Sequence, residues 1–385
     1  ITVARKEFNE DDYDVEDEES NLELVGLISF SDPIKRSTTS AVEKAQELGV
    51  NIKIITGDSL EVAGAVAYEV GIAKSSADVI SGFDFEKMSY EEKITAVEKA
   101  NVFARVSPEQ KFQIIEILQK KHTVGYLGDG INDAPALKLS NVAIVVNGAS
   151  DVAREASDLI LLQQDLKVII DGIEEGRKTF VNTSKYIKAT LSSNFGNFYA
   201  VAIASLMIDY LPMLPIQILL VNLLSDFPMI SIATDNVEKD EIRKPCVYNN
   251  TEIVIIATFL GIVSTVFDLL LFSIFRTDRP EVLRTAWFIE SILTELILIY
   301  SIRTRSFIIK SRSKPSGIIL FLTLLAGVST FVVTFLPFGK SVFGFTPLSY
   351  RNLITILVVS IGYFITSEIV KLSVYKNKMK NSQQT

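Results

Sequence analysis

The chain has 385 residues, of which 48% are hydrophobic and 22% are charged, and it carries a formal net charge of −8. The apolar content excludes a disordered chain, and an acidic balance without a basic cluster in the polar half argues against a nucleic-acid partner. Cys246 is the only cysteine, which excludes an intrachain disulfide. His122 is the only histidine, which argues against a His-rich zinc centre or a Ser-His-Asp triad.

The polar half of the chain, residues 22–162, predicts strands that alternate with helices. The predicted elements are strand Leu22–Phe30, helix Thr38–Leu48, strand Asn51–Ile55, helix Leu60–Val70, helix Pro108–Lys120, strand Thr123–Leu127 and strand Val142–Val146. This alternation predicts a parallel sheet, in which ligands bind beyond the carboxyl ends of the strands. Thr56 and Asp129 both follow such strands, so we expect them to lie side by side.

Two motifs in this half carry groups that suit a phosphate. The sequence Thr56-Gly57-Asp58 offers a hydroxyl and a backbone turn for phosphate oxygens; its alternative is an ordinary turn in which Asp58 caps the next helix. Lys111, in the motif Ser107-Pro108-Glu109-Gln110-Lys111, lies in the first turns of a predicted helix. There it can neutralise a phosphoryl group, or it is a solvated surface lysine.

A third motif concentrates oxygen ligands after a strand. The loop Gly128-Asp129-Gly130-Ile131-Asn132-Asp133-Ala134-Pro135 contains two glycines that permit a tight bend, two carboxylates and one amide. Such a set suits a hard cation like Mg²⁺, which takes oxygen ligands and retains several waters. The motif therefore predicts a metal site that includes Asp129, Asn132 and Asp133.

The second half of the chain predicts six membrane spans, because a helix needs about 20 apolar residues to cross a bilayer. The segments are 187–208, 214–234, 252–275, 285–302, 316–336 and 352–370. The connections on one side of these segments carry 12 Lys and Arg residues, against 5 on the other. This bias places the polar half and the C-terminus in the cytoplasm. The expected location is the plasma membrane, which the chain crosses several times.

Polar residues inside two of these spans predict a cation site. Asn222, Ser225 and Asp226 share one face of the second span, and Asn194 and Asn197 lie three residues apart in the first. The alternative for Asn194 is an amide that joins two helices. Pro228 has no N–H, so the Leu224 carbonyl one turn earlier is free to face a cation.

The spans contain further acidic residues. Glu295 either contributes an oxygen to the cation site or pairs with a neighbour. Asp268 and Glu290 are expected to be structural partners, and Glu368 is expected to extend to water at the membrane surface.

The three motifs of the polar half together resemble the phosphorylation domain of P-type ion-transporting ATPases, members of the haloacid dehalogenase superfamily. Asp32-Pro33 is similar to a further element of that family. The membrane half resembles the bacterial magnesium-transporting branch at four motifs. They are Ser192-Ser193-Asn194-Phe195-Gly196-Asn197, Asn222-Leu223-Leu224-Ser225-Asp226, Ala233-Thr234-Asp235-Asn236-Val237 and Ile302-Arg303-Thr304-Arg305.

The resemblance implies an α/β haloacid dehalogenase-like (Rossmannoid, parallel-sheet) cytoplasmic domain followed by an all-α domain of six transmembrane helices. The implied boundaries are a remnant of a nucleotide-binding domain or linker at 1–20, the C-terminal part of a phosphorylation domain at 21–165, a stalk helix at 166–186, the six spans at 187–372 and a cytoplasmic tail at 373–385.

The resemblance also implies roles for the motif residues. ATP phosphorylates an aspartate in this family, and Mg²⁺ is the catalytic cofactor. By similarity, Thr56 with Gly57 and Asp58 binds the phosphoryl group, and Lys111 neutralises it. Asp129 holds the Mg²⁺, while Asn132 and Asp133 complete the site, Asp133 as a second carboxylate beside the metal. The transported cation binds at Asn197, Asn222 and Asp226.

The family's phosphorylated DKTGT motif does not occur in the 385 residues. The chain is therefore expected to be the C-terminal part of a longer polypeptide, inactive without its N-terminal part. Mg²⁺ imported into the cytoplasm is the favoured cargo, because one clear carboxylate with amides and a hydroxyl is a small ligand set for Ca²⁺. The alternatives are a Ca²⁺ or H⁺ pump of the same superfamily, or a catalytically dead membrane regulatory or binding protein.

Overall fold

The computed structural model describes residues 1–6, 21–29, 33–311 and 313–381, with side chains to residue 376. Most of the 1–20 segment, Asp32 of the Asp-Pro element and the last residues of the predicted tail lie outside these ranges. The chain forms two compact units. One comprises Ile1–Ala45 and Asn51–Val168, and the other comprises Gln46–Val50 and Ile169–Thr385.

The first unit begins with an antiparallel pair of strands, β1 (Thr2–Arg5) and β2 (Glu23–Leu27). The expectation that Leu22–Phe30 belongs to the parallel sheet is therefore wrong. Apolar residues of β2 such as Leu24 and Leu27 are 62% and 76% exposed, so this strand is not buried between two layers as strands of parallel sheets are.

The other strands of the first unit are all parallel and form two three-stranded sheets. The first sheet contains β3 (Ile54–Ile55), β4 (Ile80–Ser81) and β5 (Val102–Ala104) in the order β3-β5-β4. The second contains β6 (Gly125–Gly128), β7 (Val142–Val146) and β8 (Leu159–Leu161) in the order β6-β7-β8. The predicted parallel pairing is confirmed, but Thr56 and Asp129 follow edge strands of different sheets.

Seven helices connect these strands among the residues described. They are α1 (Arg36–Glu47), α2 (Leu60–Glu69), α3 (Gly82–Lys87), α4 (Tyr90–Lys99), α5 (Pro108–Gln119), α6 (Ala134–Leu139) and α7 (Asp151–Glu155). The α5 helix starts at a capping box, in which Ser107 and Gln110 satisfy each other's backbone N–H groups. Its apolar face includes Ile114 and Ile115, which are fully buried in the core. This packing fixes the first turn of α5, which carries Lys111.

The second unit is helical. Its long helices are α8 (Leu166–Met207), α9 (Pro215–Ile230), α11 (Asn250–Phe275), α12 (Pro280–Ile302), α13 (Gly317–Phe335) and α15 (Tyr350–Asn381), with the short helices α10 (Lys239–Ile242) and α14 (Pro337–Phe343) between them. Each of the six predicted spans falls on one of the long helices.

Four helices of the described chain are long and apolar enough to cross a membrane by length and composition. Their segments are Pro215–Thr234, Asn250–Phe275, Gly317–Phe335 and Tyr350–Lys376. The chain is therefore part of a membrane protein. The helices α8 and α12 carry more polar residues, and α12 is buried along most of its length, so neighbouring helices rather than lipid surround it. The count of six spans stays a prediction.

Small residues bring α8 and α11 into close contact. A Cβ atom on Gly261 would lie 2.9 Å from Phe195 Cβ and 3.2 Å from Gly196 N, and one on Gly196 would lie 2.8 Å from Ser264 Cβ. Thr265 Oγ1 also donates to the Gly196 carbonyl at 3.3 Å. Glycine is required here because the two helix backbones leave no space for a side chain.

Buried ion pairs tie the polar end of the helical unit together. Arg303 Nε donates to Asp235 Oδ2 at 2.9 Å, and the backbone N–H of Ser316 donates to Asp235 Oδ1, also at 2.9 Å. Glu368 Oε1 accepts from Lys371 Nζ at 2.6 Å, and both side chains are buried. The expectation that Glu368 extends to water is therefore wrong, because its carboxylate also accepts from the Ser301 hydroxyl and the Ile308 N–H. Lys371 in turn donates to the carbonyls of Ser301 and Ser306.

Candidate functional site

The loop after β3 orders Thr56. Thr56 Oγ1 donates to Asp58 Oδ2 at 2.8 Å and accepts from the Asp58 N–H at 3.1 Å. The Asp58 side chain thus binds the threonine rather than the helix, and Ser59 is the N-cap of α2. The proposed alternative, a turn with Asp58 as the cap, is not the arrangement observed.

Backbone hydrogen bonds join this loop to the segment before α5. The N–H of Arg105 donates to the Asp58 carbonyl at 3.0 Å, and that of Val106 donates to the Thr56 carbonyl at 3.2 Å. Arg105 has a positive φ of 52°, which turns the chain from β5 toward the start of α5. The loop containing Thr56 and the first turn that carries Lys111 are therefore held against each other.

Lys111 joins the second motif to the third. Its Nζ donates to Asp133 Oδ1 at 2.8 Å, and this ion pair is largely buried, with side-chain exposures of 14% and 11%. Tyr126 OH donates to the same oxygen at 2.8 Å. Asp133 Oδ2 accepts weaker hydrogen bonds from the N–H groups of Asp129 and Gly130, at 3.3 and 3.4 Å. Asp133 thereby ties Lys111 to the loop that carries Asp129.

Gly128 makes room for this arrangement. A Cβ atom at residue 128 would lie 2.8 Å from Asp133 Cβ, closer than real Cβ contacts. A side chain here would displace Asp133 from the loop amides. The first glycine of the motif is therefore required by a close approach as well as by a bend.

The charge state of Asp133 follows from its partners. Burial raises the pKa of this carboxyl, but the hydrogen bonds from Lys111 and Tyr126 and the charge of Lys111 outweigh it, so the pKa lies below its ordinary value. Burial and the adjacent Asp133 charge raise the pKa of Tyr126. At neutral pH the pair is an ionised carboxylate beside a neutral phenol.

Asp129 and Asn132 are exposed at the end of β6, in contrast to the buried Asp133. The Asp129 carboxylate and the Asn132 amide provide the hard oxygen ligands that Mg²⁺ prefers. The two residues lie three positions apart in the same loop. Because both Asp133 oxygens already accept hydrogen bonds, its role as a second carboxylate beside the metal stays a prediction. Gly57 and Asp58 are also exposed and border the same set of loops.

The helical unit brings together part of the predicted cation site around Glu295. This carboxylate is 6% exposed, and its Oε1 accepts from Ser193 Oγ at 2.7 Å and from Asn197 Nδ2 at 2.9 Å. Ser225 also lies within hydrogen-bonding contact of Glu295, although its hydroxyl donates to the Val221 carbonyl. We call Ser193, Asn197, Ser225 and Glu295 the Glu295 cluster.

The remaining predicted cation ligands lie on the outside of the helical unit. Asn194, Asn222 and Asp226 are exposed. Asp226 is adjacent in sequence to Ser225, and its carboxylate is close enough to Glu295 for an electrostatic interaction. Asp226 is predicted from the sequence to be a buried carboxylate; in the described chain its side chain is exposed, so its burial stays a prediction for the complete protein. The sequence did not single out Ser193 and Tyr126, although Ser193 precedes Asn197 by four residues and so shares its helix face.

Two family models match the chain. One, described as a haloacid dehalogenase-like hydrolase, matches residues 3–141, and the other, described as the C-terminus of cation-transporting ATPases, matches residues 210–373. Their order corresponds to the two structural units. The chain therefore belongs to the P-type cation-transporting ATPases, with the haloacid dehalogenase-like domain and the helical C-terminal region of that family.

The similar proteins include magnesium-transporting and calcium-transporting ATPases. The chain is 38% identical to a P-type magnesium-transporting ATPase of Escherichia coli and 40% identical to one of Salmonella typhimurium, over 96% of its own length in both alignments. A calcium-transporting ATPase of Bacillus cereus is 30% identical over 97% of the chain. The chain spans only 42% of the length of the two magnesium-transporting relatives and 45% of the calcium-transporting one.

Proposed function

We propose that this chain is part of an ATP-driven pump that imports Mg²⁺ through an aspartyl-phosphate cycle. The observation that carries the proposal is the connected set of contacts in the first unit, from Thr56 through the start of α5 to Lys111 and Asp133. It joins three motifs that are separated in sequence into one group of phosphate-binding and metal-binding side chains.

Each side chain has a defined task in this proposal. Thr56 Oγ1 and the turn at Gly57 contact the phosphoryl oxygens, and Asp58 orients the hydroxyl. Lys111 provides the positive charge, and Asp133 holds its ammonium group in place. Asp129 and Asn132 would hold a Mg²⁺ ion, which supplies further positive charge to the phosphoryl group. Phosphoryl transfer depends mainly on such positioning and neutralisation of charge.

The phosphorylated aspartate is proposed to come from a part of the polypeptide outside these 385 residues, which contain no DKTGT sequence. ATP is the proposed phosphate donor. The first unit and the C-terminus are proposed to be cytoplasmic, because the connections on their side carry most of the Lys and Arg residues.

The Glu295 cluster, together with the exposed residues Asp226, Asn222 and Asn194, is the proposed transport site. Two carboxylates with several amide and hydroxyl oxygens suit a cation that keeps part of its water shell, as Mg²⁺ does. The higher identity to magnesium-transporting relatives than to the calcium-transporting one supports the same cargo.

Asp226→Asn in the complete pump tests this site, because it keeps the side-chain shape and removes the charge. We expect loss of Mg²⁺ uptake into vesicles, with normal membrane insertion and nucleotide binding. Asp278→Asn, at an exposed loop residue, is the matched control and is expected to transport normally. Normal Mg²⁺ uptake by Asp226→Asn would contradict the site, and Ca²⁺ uptake or proton transport without Mg²⁺ uptake by the wild type would contradict the cargo.

A further inference from the structure

Two carboxyl groups in the interior of the helical unit take no part in the Glu295 cluster. Asp268 on α11 is 2% exposed, and Glu290 on α12 is 1% exposed. Their carboxyl groups lie within hydrogen-bonding contact of each other. We call these two residues the carboxyl pair.

Hydrogen-bond donors are scarce around the carboxyl pair. Trp287 Nε1 donates to Asp268 Oδ1 at 2.6 Å, and Ser264 lies within contact of the same carboxyl. Asp268 Oδ2 and Glu290 Oε2 are buried and accept no hydrogen bond from the described residues. Glu295 receives both Ser193 and Asn197 on one oxygen. Glu295 therefore has two donors for one carboxylate, whereas two carboxyl groups share Trp287 and Ser264 and each keeps one buried oxygen without a donor.

Among the described residues of the helical unit, no positive side chain compensates for this shortage. The buried lysines and arginine of the helical unit pair with other carboxylates, namely Glu241, Glu252, Asp235 and Glu368. The titratable groups that face the carboxyl pair are Glu295 on α12 and Tyr363 on α15, and Asp226 on α9 faces Glu295. All of these are acidic.

Two ionised carboxylates in contact in such an interior repel each other strongly, so they cannot both be charged without a bound cation. A metal ion does not fit. It would need more oxygen ligands than the carboxyl pair offers. The Trp287 N–H also directs a partially positive hydrogen at Asp268, which a cation at this position would repel. Within the described residues, no group of three or more acidic, histidine or cysteine side chains is placed to hold a metal.

We propose that Asp268 and Glu290 form a proton-binding site that holds one proton between them, separate from the Glu295 cluster. The protonated carboxyl donates a hydrogen bond to its partner, and the carboxyl pair carries a single negative charge. The aromatic side chains of Trp287 and Tyr363 border it. The Trp287 ring packs edge-on against Phe272, with the ring centroids 4.7 Å apart. This inference goes beyond the proposed pump activity and does not depend on which cation is transported.

Infrared spectroscopy of the 385-residue chain in lipid bilayers tests the site. At neutral pH the wild type is expected to show the C=O stretching band of a protonated carboxylic acid. Asp268→Asn and Glu290→Gln each place an amide where the protonated carboxyl stood, so both are expected to lose the band while keeping the fold. Glu295→Gln is the matched control and is expected to retain the band.

Trp287 is the only tryptophan of the chain, so its fluorescence emission reports whether each variant keeps the native surroundings of the carboxyl pair. If an amide variant does not fold, isotopic labelling of the aspartate or glutamate carboxyl carbons in the wild type replaces it. A shift of the band with either label supports the site. Absence of the band in the wild type, its loss in Glu295→Gln, or its persistence in both folded amide variants overturns the proposal.

Discussion

Asp133 connects the phosphate-binding motifs through several hydrogen bonds to its carboxylate. It accepts hydrogen bonds from Lys111, Tyr126 and two loop amides. Charge-assisted hydrogen bonds of this kind are stronger than neutral ones and hold their donors in fixed positions. The position of Lys111, and with it the positive charge offered to a phosphoryl group, therefore depends on Asp133.

Acid is expected to release the loop through Asp133. The folded-state pKa of this carboxyl lies below its unfolded value of about 3.9. Its contribution to stability is therefore complete above about pH 4 and is lost as the pH falls through the folded-state pKa. We expect Asp133→Asn to lower the stability of the 125–139 segment by about 2 kcal/mol at neutral pH, or about 30-fold in amide protection.

Hydrogen exchange measured by mass spectrometry on that segment checks this prediction. The difference between wild type and Asp133→Asn should shrink below about pH 4, where the wild-type carboxyl also becomes neutral. A difference that does not change with pH would show that the charge of Asp133 does not stabilise the loop.

Lys111 is expected to act on phosphoryl transfer in the complete pump. Lys111→Ala should slow phosphoenzyme formation from ATP by about 100-fold or more, the usual effect of removing one preorganised charge. Asp129→Ala should abolish the Mg²⁺-dependent reaction, because the phosphate charge stays uncompensated. Lys121→Ala is the control, since its side chain is 64% exposed. Phosphoenzyme formation at the wild-type rate in both site variants would exclude these roles.

At this scale the sequence identified the residue types but not their surroundings. The motif spacing indicated Lys111 and Asp133, yet the hydrogen bond between them spans 22 residues and depends on how α5 packs against the Asp129 loop. The burial of Glu290 and Glu368 and the exposure of Asp226 depend on which helices surround them. A single sequence carries no direct record of such tertiary neighbours.

Among the elements, helices were predicted more closely than strands. The predicted helix Pro108–Lys120 is Pro108–Gln119 in the structure, and the predicted span 252–275 is Asn250–Phe275. The two-residue strands β3 and β4 carry too few residues for a clear pattern, and β2 pairs with a segment at the start of the chain. Helix periodicity is local, whereas strand pairing depends on distant partners.

The contact between α8 and α11 yields a prediction about one glycine. Gly261→Ala places a Cβ 2.9 Å from Phe195 Cβ and 3.2 Å from backbone atoms of α8, and is expected to cost about 2 kcal/mol. Gly327→Ala is the control, because its Cβ would meet only Leu296 Cδ1 at 3.9 Å.

Thermal unfolding of both variants in one detergent, followed by Trp287 emission, compares these glycines. A clear decrease in Tm is expected for Gly261→Ala and none for Gly327→Ala. Equal Tm values would indicate that the helix backbones move apart at little cost.

On the scale of the whole molecule, the sequence correctly indicated a parallel α/β unit and a helical membrane unit. It did not indicate that the parallel strands form two sheets, with β3 and β6 each at an edge. Alternation of strands and helices predicts parallel pairing but not which strands are neighbours. The three motifs are instead joined by loop and side-chain hydrogen bonds at the strand ends.

The 385-residue chain is expected to form no phosphoenzyme by itself. Incubation with ATP labelled at the γ-phosphate should leave no acid-stable, hydroxylamine-sensitive label, because the DKTGT aspartate is absent from its sequence. The complete pump, treated in the same way, is the positive control. Labelling of the isolated chain would mean that another aspartate is the nucleophile.

The buried pair of Asp235 and Arg303 has a consequence for how the protein is made. The two residues are 68 positions apart, so the ribosome synthesises Asp235 well before Arg303. At synthesis rates of about 5 to 20 residues per second, this interval is about 3 to 14 s. During that time Asp235 cannot enter its final site without leaving an unpaired buried charge. We therefore expect the loop after α9 to stay hydrated until α12 has been inserted, with the ion pair closing late in assembly.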